Sequence, residues 1–371
     1  MVLNERSTNT PWPRLAVVGP LPPPSGGMAN QCEQLVRLLT QEGAAVELIR
    51  TNAPYRPSWV GQFPVIRALF RLLPYLYRLW QVLGRVDVVH VFANSGWAWH
   101  LLAMPALVIA RWRGVGTIVN YRGGNADQFF TGAPAHVLRT LEQASLRVAP
   151  SAFLVRVFRK FGLDAQVIPN IIDLSRFRPA SVKAAGTDPH LIVTRNLEPV
   201  YDIATAIRAF AAIRETHAGA RLTVAGTGPD LRELHDLARR LGVAEAVNFP
   251  GRIANADIAA LYASADCMLN SSTVDNMPIS ILESMASGVP VVSTMAGGIP
   301  DMVEHGVSAL LVPIGDSSAM ATAATVVLDN PATAAALRSA GIEVARRYGW
   351  SQIKPMWQEA YWQAARSGST S

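Results

Sequence analysis

Only two cysteines, Cys32 and Cys267, occur in this 371-residue chain, so neither a disulfide framework nor a cysteine metal-ligand pattern is available. Long hydrophobic runs are also missing. The best, LLAMPALVIA at 101–110, is too short to span a bilayer, and the opening MVLNERSTNTPWPR has no apolar signal region. These absences predict a protein of the reduced cytosol. Neither a repeat nor a low-complexity segment interrupts the chain. The formal charge of +6 is moderate, and no aromatic–basic platform or recognition module accompanies it, so nucleic acid is not an expected partner.

What is present reads as an ordered globular protein, half hydrophobic and 16% charged, and too long for one ordinary core. Short β-rich runs (14–19, 86–92, 116–121) alternate with helical patterns, and the rhythm resumes after 190 with HLIVTR, RLTVAG, AVNFPG, DCMLNS, PVVST and ALLVPI. Such alternation predicts parallel sheets covered by helices on both faces. The small, polar, proline-flanked stretch 179–190 reads as a linker. The expected organisation is therefore two doubly wound α/β domains, 1–182 and 183–349, with ligands bound in a cleft outside the carboxyl ends of the strands.

One segment poses a chemical question. STVDNMPISILESMASGVPVVS at 272–293 reads as loop, short helix and strand, with Pro278 at the helix start and Gly288 beyond its end. At ~100° per residue, Ile279, Leu282 and Ala286 form an apolar stripe, and Glu283 falls inside it. A carboxylate there is costly unless paired, and a second one, Asp275, stands just before the helix. A structural salt bridge from Glu283 to an arginine is one reading; a bound ligand is the other.

Glycine turns follow several strands. Gly26 and Gly27 precede a helix, where glycine permits close approach and the helix end favours an anion, though an ordinary turn fits equally. Gly226 and Gly228 in VAGTGPDLREL do the same, but the third glycine of a dinucleotide fingerprint is missing and the next strand ends in AVNFPG, without a ribose-binding acid. A third such loop, MAGGIPDMVEHG, follows PVVST.

Taken together these motifs resemble the family 4 retaining glycosyltransferases (glycosyl transferases group 1), enzymes of the GT-B fold, over nearly the whole chain. The most specific element is an acid, seven residues, a glutamate and then G-x-P-V-V, here Asp275, Glu283 and SMASGVPVVS. SGG at 25–27, DVVHVF at 87–92, VIPNIIDLSRFRP at 167–179, a strand ending in Arg195, AGTGPDL and NFPGRI add to it. The resemblance implies that the closing helix, within 350–371, packs back on the N-terminal domain.

It also implies roles. Glu283 would hold the ribose hydroxyls of a nucleotide-diphosphate sugar, and Asp275 the hydroxyls of the donor sugar. Arg195 would hold the diphosphate, with Asn276, Met277, Pro278 and Ile279 at the helix start. Gly26, Gly27, Gly226, Gly228, Arg252 and Ile253 complete the expected donor site. No cofactor or bound metal is implied. Three departures stand out: Asp275 replaces the usual glutamate and is followed by NMP, Tyr201 stands where a lysine is usual, and Arg122 in NYRGGNADQFF stands near the usual histidine. Arg122 reads either as a donor-phosphate or acceptor contact or as a surface arginine. His90 reads as a buried histidine or a functional one.

Arg67, Arg71, Arg78 and Arg85, spaced by four, seven and seven, share one face of an otherwise apolar helix. That pattern fits an anionic membrane surface or an ordinary solvated face. The expected activity is transfer of a sugar, from a UDP-linked donor, to a glycan or lipid-linked saccharide in cell-surface polysaccharide or glycoconjugate synthesis. It would take place in the cytoplasm, at the inner membrane face. A catalytically degenerate sugar-nucleotide-binding subunit and a sugar-nucleotide epimerase are the alternatives.

Overall fold

The computed structural model describes residues 12–23, 26–53, 64–179, 187–255 and 257–368, with the side chains of 64–69 excepted. The chain divides into two compact units, Met1–Ile171 with Trp350–Ser371, and Ile172–Gly349. The division falls ahead of residue 182 because Ile172 and Phe177 already pack in the second unit's core, beside Tyr262, Ile281 and Met285. Most of the linker, 180–186, lies outside the described residues.

The first unit is a six-stranded parallel sheet in the order β2-β1-β3-β4-β5-β6. Its strands are β1 (Leu15–Gly19), β2 (Val46–Arg50), β3 (Val88–Ala93), β4 (Gly116–Tyr121), β5 (Leu146–Ala149) and β6 (Gln166–Val167). β1, β3 and β4 are buried along their whole length, as expected of strands covered on both faces. The chain's last helix, Trp350–Gly368, lies on this sheet through Ile353, Trp357, Ala360, Tyr361 and Ala364. Gly116 makes its close approach possible, since a Cβ there would sit 2.1 Å from the Ala364 carbonyl oxygen.

The second unit is also six-stranded and parallel, ordered β12-β11-β10-β7-β8-β9. Its strands are β7 (His190–Val193), β8 (Arg221–Ala225), β9 (Val247–Gly251), β10 (Cys267–Asn270), β11 (Val291–Thr294) and β12 (Leu310–Val312). Strand order reverses between β7 and β10, which pair through Cys267–Leu191 and Met268–Ile192. Backbone carboxyl ends diverge at such a point and leave a crevice for a ligand. In the first unit the equivalent reversal lies between β1 and β3.

Candidate functional site

In the second unit, the residues just beyond β7 and β10 meet at the reversal. Arg195 Nη2 donates to Asp275 Oδ2, and both side chains are 12% exposed. Burial raises the Asp275 carboxyl above its ordinary value, against the pull of the Arg195 charge, the Asn276 amide and the Ser272 hydroxyl. The Arg195 guanidinium also lies 4.1 Å from the centre of the Tyr201 ring. Arg195 Nε is buried and has no hydrogen-bond partner among the described residues. A concentrated cation therefore sits at the end of β7, half-committed to one carboxylate.

Glycines hold this arrangement together from behind. A Cβ on Gly226 would come within 1.9 Å of the Arg195 carbonyl oxygen, and one on Gly228 within 2.1 Å of that of Leu197. These two glycines thus let the loop after β8 pack on the backbone that carries Arg195. Gly297, at φ +56°, does the same for Asp275: a Cβ there would sit 2.0 Å from the Asp275 oxygen, which accepts from Gly298 N at 2.8 Å. Gly26 and Gly27 differ, because the space a Cβ would take at either is open. They begin the Gly27–Gln41 helix of the first unit.

Glu283 lies on the Ile279–Ala286 helix, which starts one residue after Pro278 and ends before Gly288 at φ +71°. Ile281, Leu282, Met285 and Ala286 bury its core side, and Glu283 is half-buried at the edge. Tyr262 donates its hydroxyl to Glu283 Oε2 at 2.9 Å and shares a 2.7 Å hydrogen bond with Thr194. Burial lifts the Glu283 carboxyl to about 7, while the Tyr262 bond and the charges of Arg176 and Arg195 oppose the rise. The described residues thus supply one side-chain hydrogen bond and two nearby cations to a carboxylate that can accept further donors. Asn276 and Met277 have buried side chains, Met277 in the core. Arg252 is exposed beyond β9 and Ile253 half-buried.

Sequence reasoning missed Arg176, Tyr262 and Thr194. Arg176 stacks 4.8 Å from Phe177, whose ring meets Tyr262 edge-on at 5.8 Å. Nothing in linear spacing connects 176, 194 and 262 with 283.

Arg122 belongs to the first unit, just past β4. Its Nε donates to Asn120 Oδ1 at 3.3 Å and its Nη1 to Asn170 Oδ1 at 2.6 Å, with the guanidinium 5.1 Å from the Phe92 ring. Asn120 Nδ2 in turn meets His90 Nε2 at 3.0 Å, and His90 Nδ1 meets the Tyr361 hydroxyl at 2.8 Å. Burial lowers the Arg122 guanidinium to about 10. His90 is fully buried, and it belongs to this chain of contacts from the last helix to Arg122.

Arg78 and Arg85 of the arginine stripe are both exposed, and each also has a partner on β2. Arg78 Nη2 donates to the Leu48 carbonyl at 3.0 Å, and Arg85 pairs with Glu47 at 2.8 Å, so both lean on β2. The reason is chemical: the edge strand offers an acceptor and a carboxylate within reach of both. The Arg67 side chain lies outside the described residues. Among the described residues, no group of three His, Cys, Asp or Glu side chains is placed to hold a metal ion, and no helix is long and apolar enough to cross a membrane.

Residues 25–176 match the family model described as Glycosyltransferase Family 4, and residues 176–344 match that described as Glycosyl transferases group 1. The chain belongs to this family of glycosyltransferases and is an enzyme of that class. It is similar to the glycogen synthase of Mycobacterium tuberculosis, 28% identical over 296 residues, 76% of this chain and 70% of that one. The putative colanic acid biosynthesis glycosyltransferase WcaL of Escherichia coli is 33% identical over 156 residues, 40% of this chain and 38% of that protein. Among solved structures, Anabaena HepE in complex with UDP-glucose has a TM-score of 0.72 at 20% identity, covering 94% of this chain and 99% of its own. Sucrose-phosphate synthase from Thermosynechococcus elongatus has a TM-score of 0.75 at 18% identity, covering 95% and 98%. The fold is GT-B.

Proposed function

We propose that the protein is a retaining glycosyltransferase that moves a sugar from a UDP-linked donor to a glycan or lipid-linked saccharide at the cytoplasmic face of a membrane. The observation that carries this reading is the Arg195–Asp275 pair at the β7/β10 reversal, with Glu283 on the helix that follows. HepE, a neighbour in fold, is described in complex with UDP and with UDP-glucose, which supports uridine as the base.

In this reading Glu283 accepts hydrogen bonds from the two ribose hydroxyls, and Arg195 faces the diphosphate. Asp275 turns from Arg195 to the sugar hydroxyls once the phosphate arrives. As the bond from the sugar carbon to the phosphate oxygen breaks, negative charge grows on the diphosphate, where Arg195 and the helix start stabilise it. The acceptor oxygen bonds to the same face of that carbon, and its proton passes to the departing phosphate. Tyr201, in the place of the usual lysine, offers a ring under Arg195 but no charge of its own.

Titration with UDP, followed by incubation with a panel of UDP-sugars and membrane extract, tests the reading. Expected are UDP binding and a mass-identified glycosylated product. Binding without transfer or hydrolysis would support the binding-subunit alternative, which Tyr201 favours, and absence of UDP binding would overturn the donor assignment.

A further inference from the structure

From Phe70 onward the Pro64–Val82 helix turns one apolar stripe outward. Phe70, Leu73, Tyr77 and Trp80 are 48%, 61%, 66% and 47% exposed, although all are large and hydrophobic. Their spacing of three, four and three places them within about an 80° arc of the helix. On the opposite side Tyr75 and Leu79 are buried, while Arg78 and Arg85, between the two, are exposed and also reach β2. The neighbouring Met104–Trp112 helix ends in Trp112, 74% exposed, and the Arg113 that follows lies 4.4 Å from the Trp80 ring centre.

Charge singles out the same region. Residues 51–126 contain eight arginines and a single acid, Asp87, which is itself paired with Arg14 at 2.8 Å. That surplus exceeds the +6 of the entire chain, so the remainder is slightly acidic. An exposed apolar stripe in a strongly cationic region, where Arg78, Arg85, Arg111 and Arg113 are exposed, has a specific complement, a surface that is apolar beneath an anionic layer. Tyrosine and tryptophan suit the depth between the two, since each has an apolar ring and a polar tip. A second copy of the chain fits less well. Four side chains at these exposures offer roughly 450 Å², against about 800 Å² per partner in a stable interface, and the cationic surround would repel itself.

We infer that the Phe70–Leu73–Tyr77–Trp80 stripe is the face on which this glycosyltransferase rests on an anionic phospholipid bilayer, with the stripe in the interfacial layer and the arginines beside it. The inference rests on the proposed lipid-linked acceptor and assigns the contact to the apolar face of the helix, with arginine attraction secondary to it. Insertion of a stripe and attraction of a basic face respond differently to substitution and to salt.

The test is flotation with vesicles of phosphatidylcholine alone and of phosphatidylcholine with phosphatidylglycerol. Wild type is expected to float with the anionic vesicles, and Leu73→Ser/Tyr77→Ser to float at least about tenfold less. Arg78→Gln/Arg85→Gln is expected to lose the preference for anionic vesicles while keeping residual, salt-resistant binding. UDP titration of each variant reports separately on folding and on the donor site in the other unit. Equal flotation of wild type and the serine variant, or none by wild type at low salt, would overturn the docking face. Concentration-dependent dimers broken by the serine substitutions, without flotation, would assign the stripe to a second copy. Loss of UDP binding in wild type would remove the donor reading and leave the docking result standing.

Discussion

Tyr262 donates its hydroxyl to Glu283 at 2.9 Å and is itself fully buried, so among the described residues the carboxylate has its fixed partner on its inner side. The opposite side depends on the charges of Arg176 and Arg195. A carboxylate raised to about 7 by burial is poorly solvated when the site is empty. Two hydroxyl donors would complete its hydrogen bonding, which is what a ribose offers.

Replacing Glu283 by Gln should therefore weaken UDP binding by about 1–3 kcal/mol, the usual worth of hydrogen bonds to a charged group. The loss should be largest above the carboxyl's value of about 7, where wild type is ionised. Calorimetry across that range checks it. An affinity unchanged at every pH would remove Glu283 from the ribose site.

Stability should move the other way. The folded Glu283 carboxyl titrates near 7, above its ordinary 4.5. A raised value contributes stability fully below the ordinary value and loses it as pH rises through the folded one. At about pH 8 the empty wild-type protein holds an ill-solvated charge, and Glu283→Gln should stabilise it by on the order of 1–3 kcal/mol. Near the ordinary carboxylate value the two proteins should melt alike. A variant less stable at alkaline pH would mean that the carboxylate is a structural partner of Tyr262.

The Arg195–Asp275 pair makes a further distinction. With no donor bound, Asp275 competes for the guanidinium that the diphosphate needs. Asp275→Asn should leave UDP affinity equal or up to about tenfold tighter, since a competing charge is removed. Transfer should fall by about a hundredfold if the carboxylate holds the reacting sugar. Parallel losses in UDP binding and transfer would make Asp275 a scaffold for Arg195.

Much of the fold was legible because its central strands are short, fully buried runs rich in β-branched residues, as in LAVVG and VVST. The two strands at the weak edge, β5 and β6, carried Arg147 and Gln166 in runs of four and two residues, too short for periodicity to register. Asp275 and Glu283 were visible as carboxylates out of place beside a helix start. Tyr262 and Arg176 were not, because their relation to Glu283 exists only after β7 and β10 pair and the 173–177 turn folds over Tyr262. The arginine stripe shows a different limit. Helical periodicity groups Arg78 and Arg85 onto one exposed face, but their contacts with the Leu48 carbonyl and Glu47 on β2 depend on which element packs beside the helix.

The first unit should have an acid sensitivity centred on His90. The ring is buried, stacked on Phe92 and tilted against Trp357 with centres 4.7 Å away in both cases, and bonded to Tyr361 and Asn120. Burial first, and then the charge of Arg122, lowers its value from 6.5 to about 3. The Tyr361 phenol and the Cys32 thiol, the other titratable groups close by, are pushed upward by burial and stay neutral. A lowered value contributes stability that is present above the ordinary histidine range and is lost as pH falls toward the folded one. Each pH unit below ~6.5 should then cost up to about 1.4 kcal/mol. His90→Gln retains a donor and an acceptor but cannot titrate, so it should be less stable near neutrality, by about 1–3 kcal/mol from lost packing, and nearly flat with acid. Amide exchange in the Trp350–Gly368 helix reports on this unit, because that helix carries Trp357 and Tyr361 against His90. Wild-type protection factors, which are corrected for the slower intrinsic amide exchange in acid, should fall between ~6.5 and ~4.5 while the variant's change little. Parallel acid profiles for the two proteins would place the acid-sensitive group elsewhere and leave His90 as packing alone.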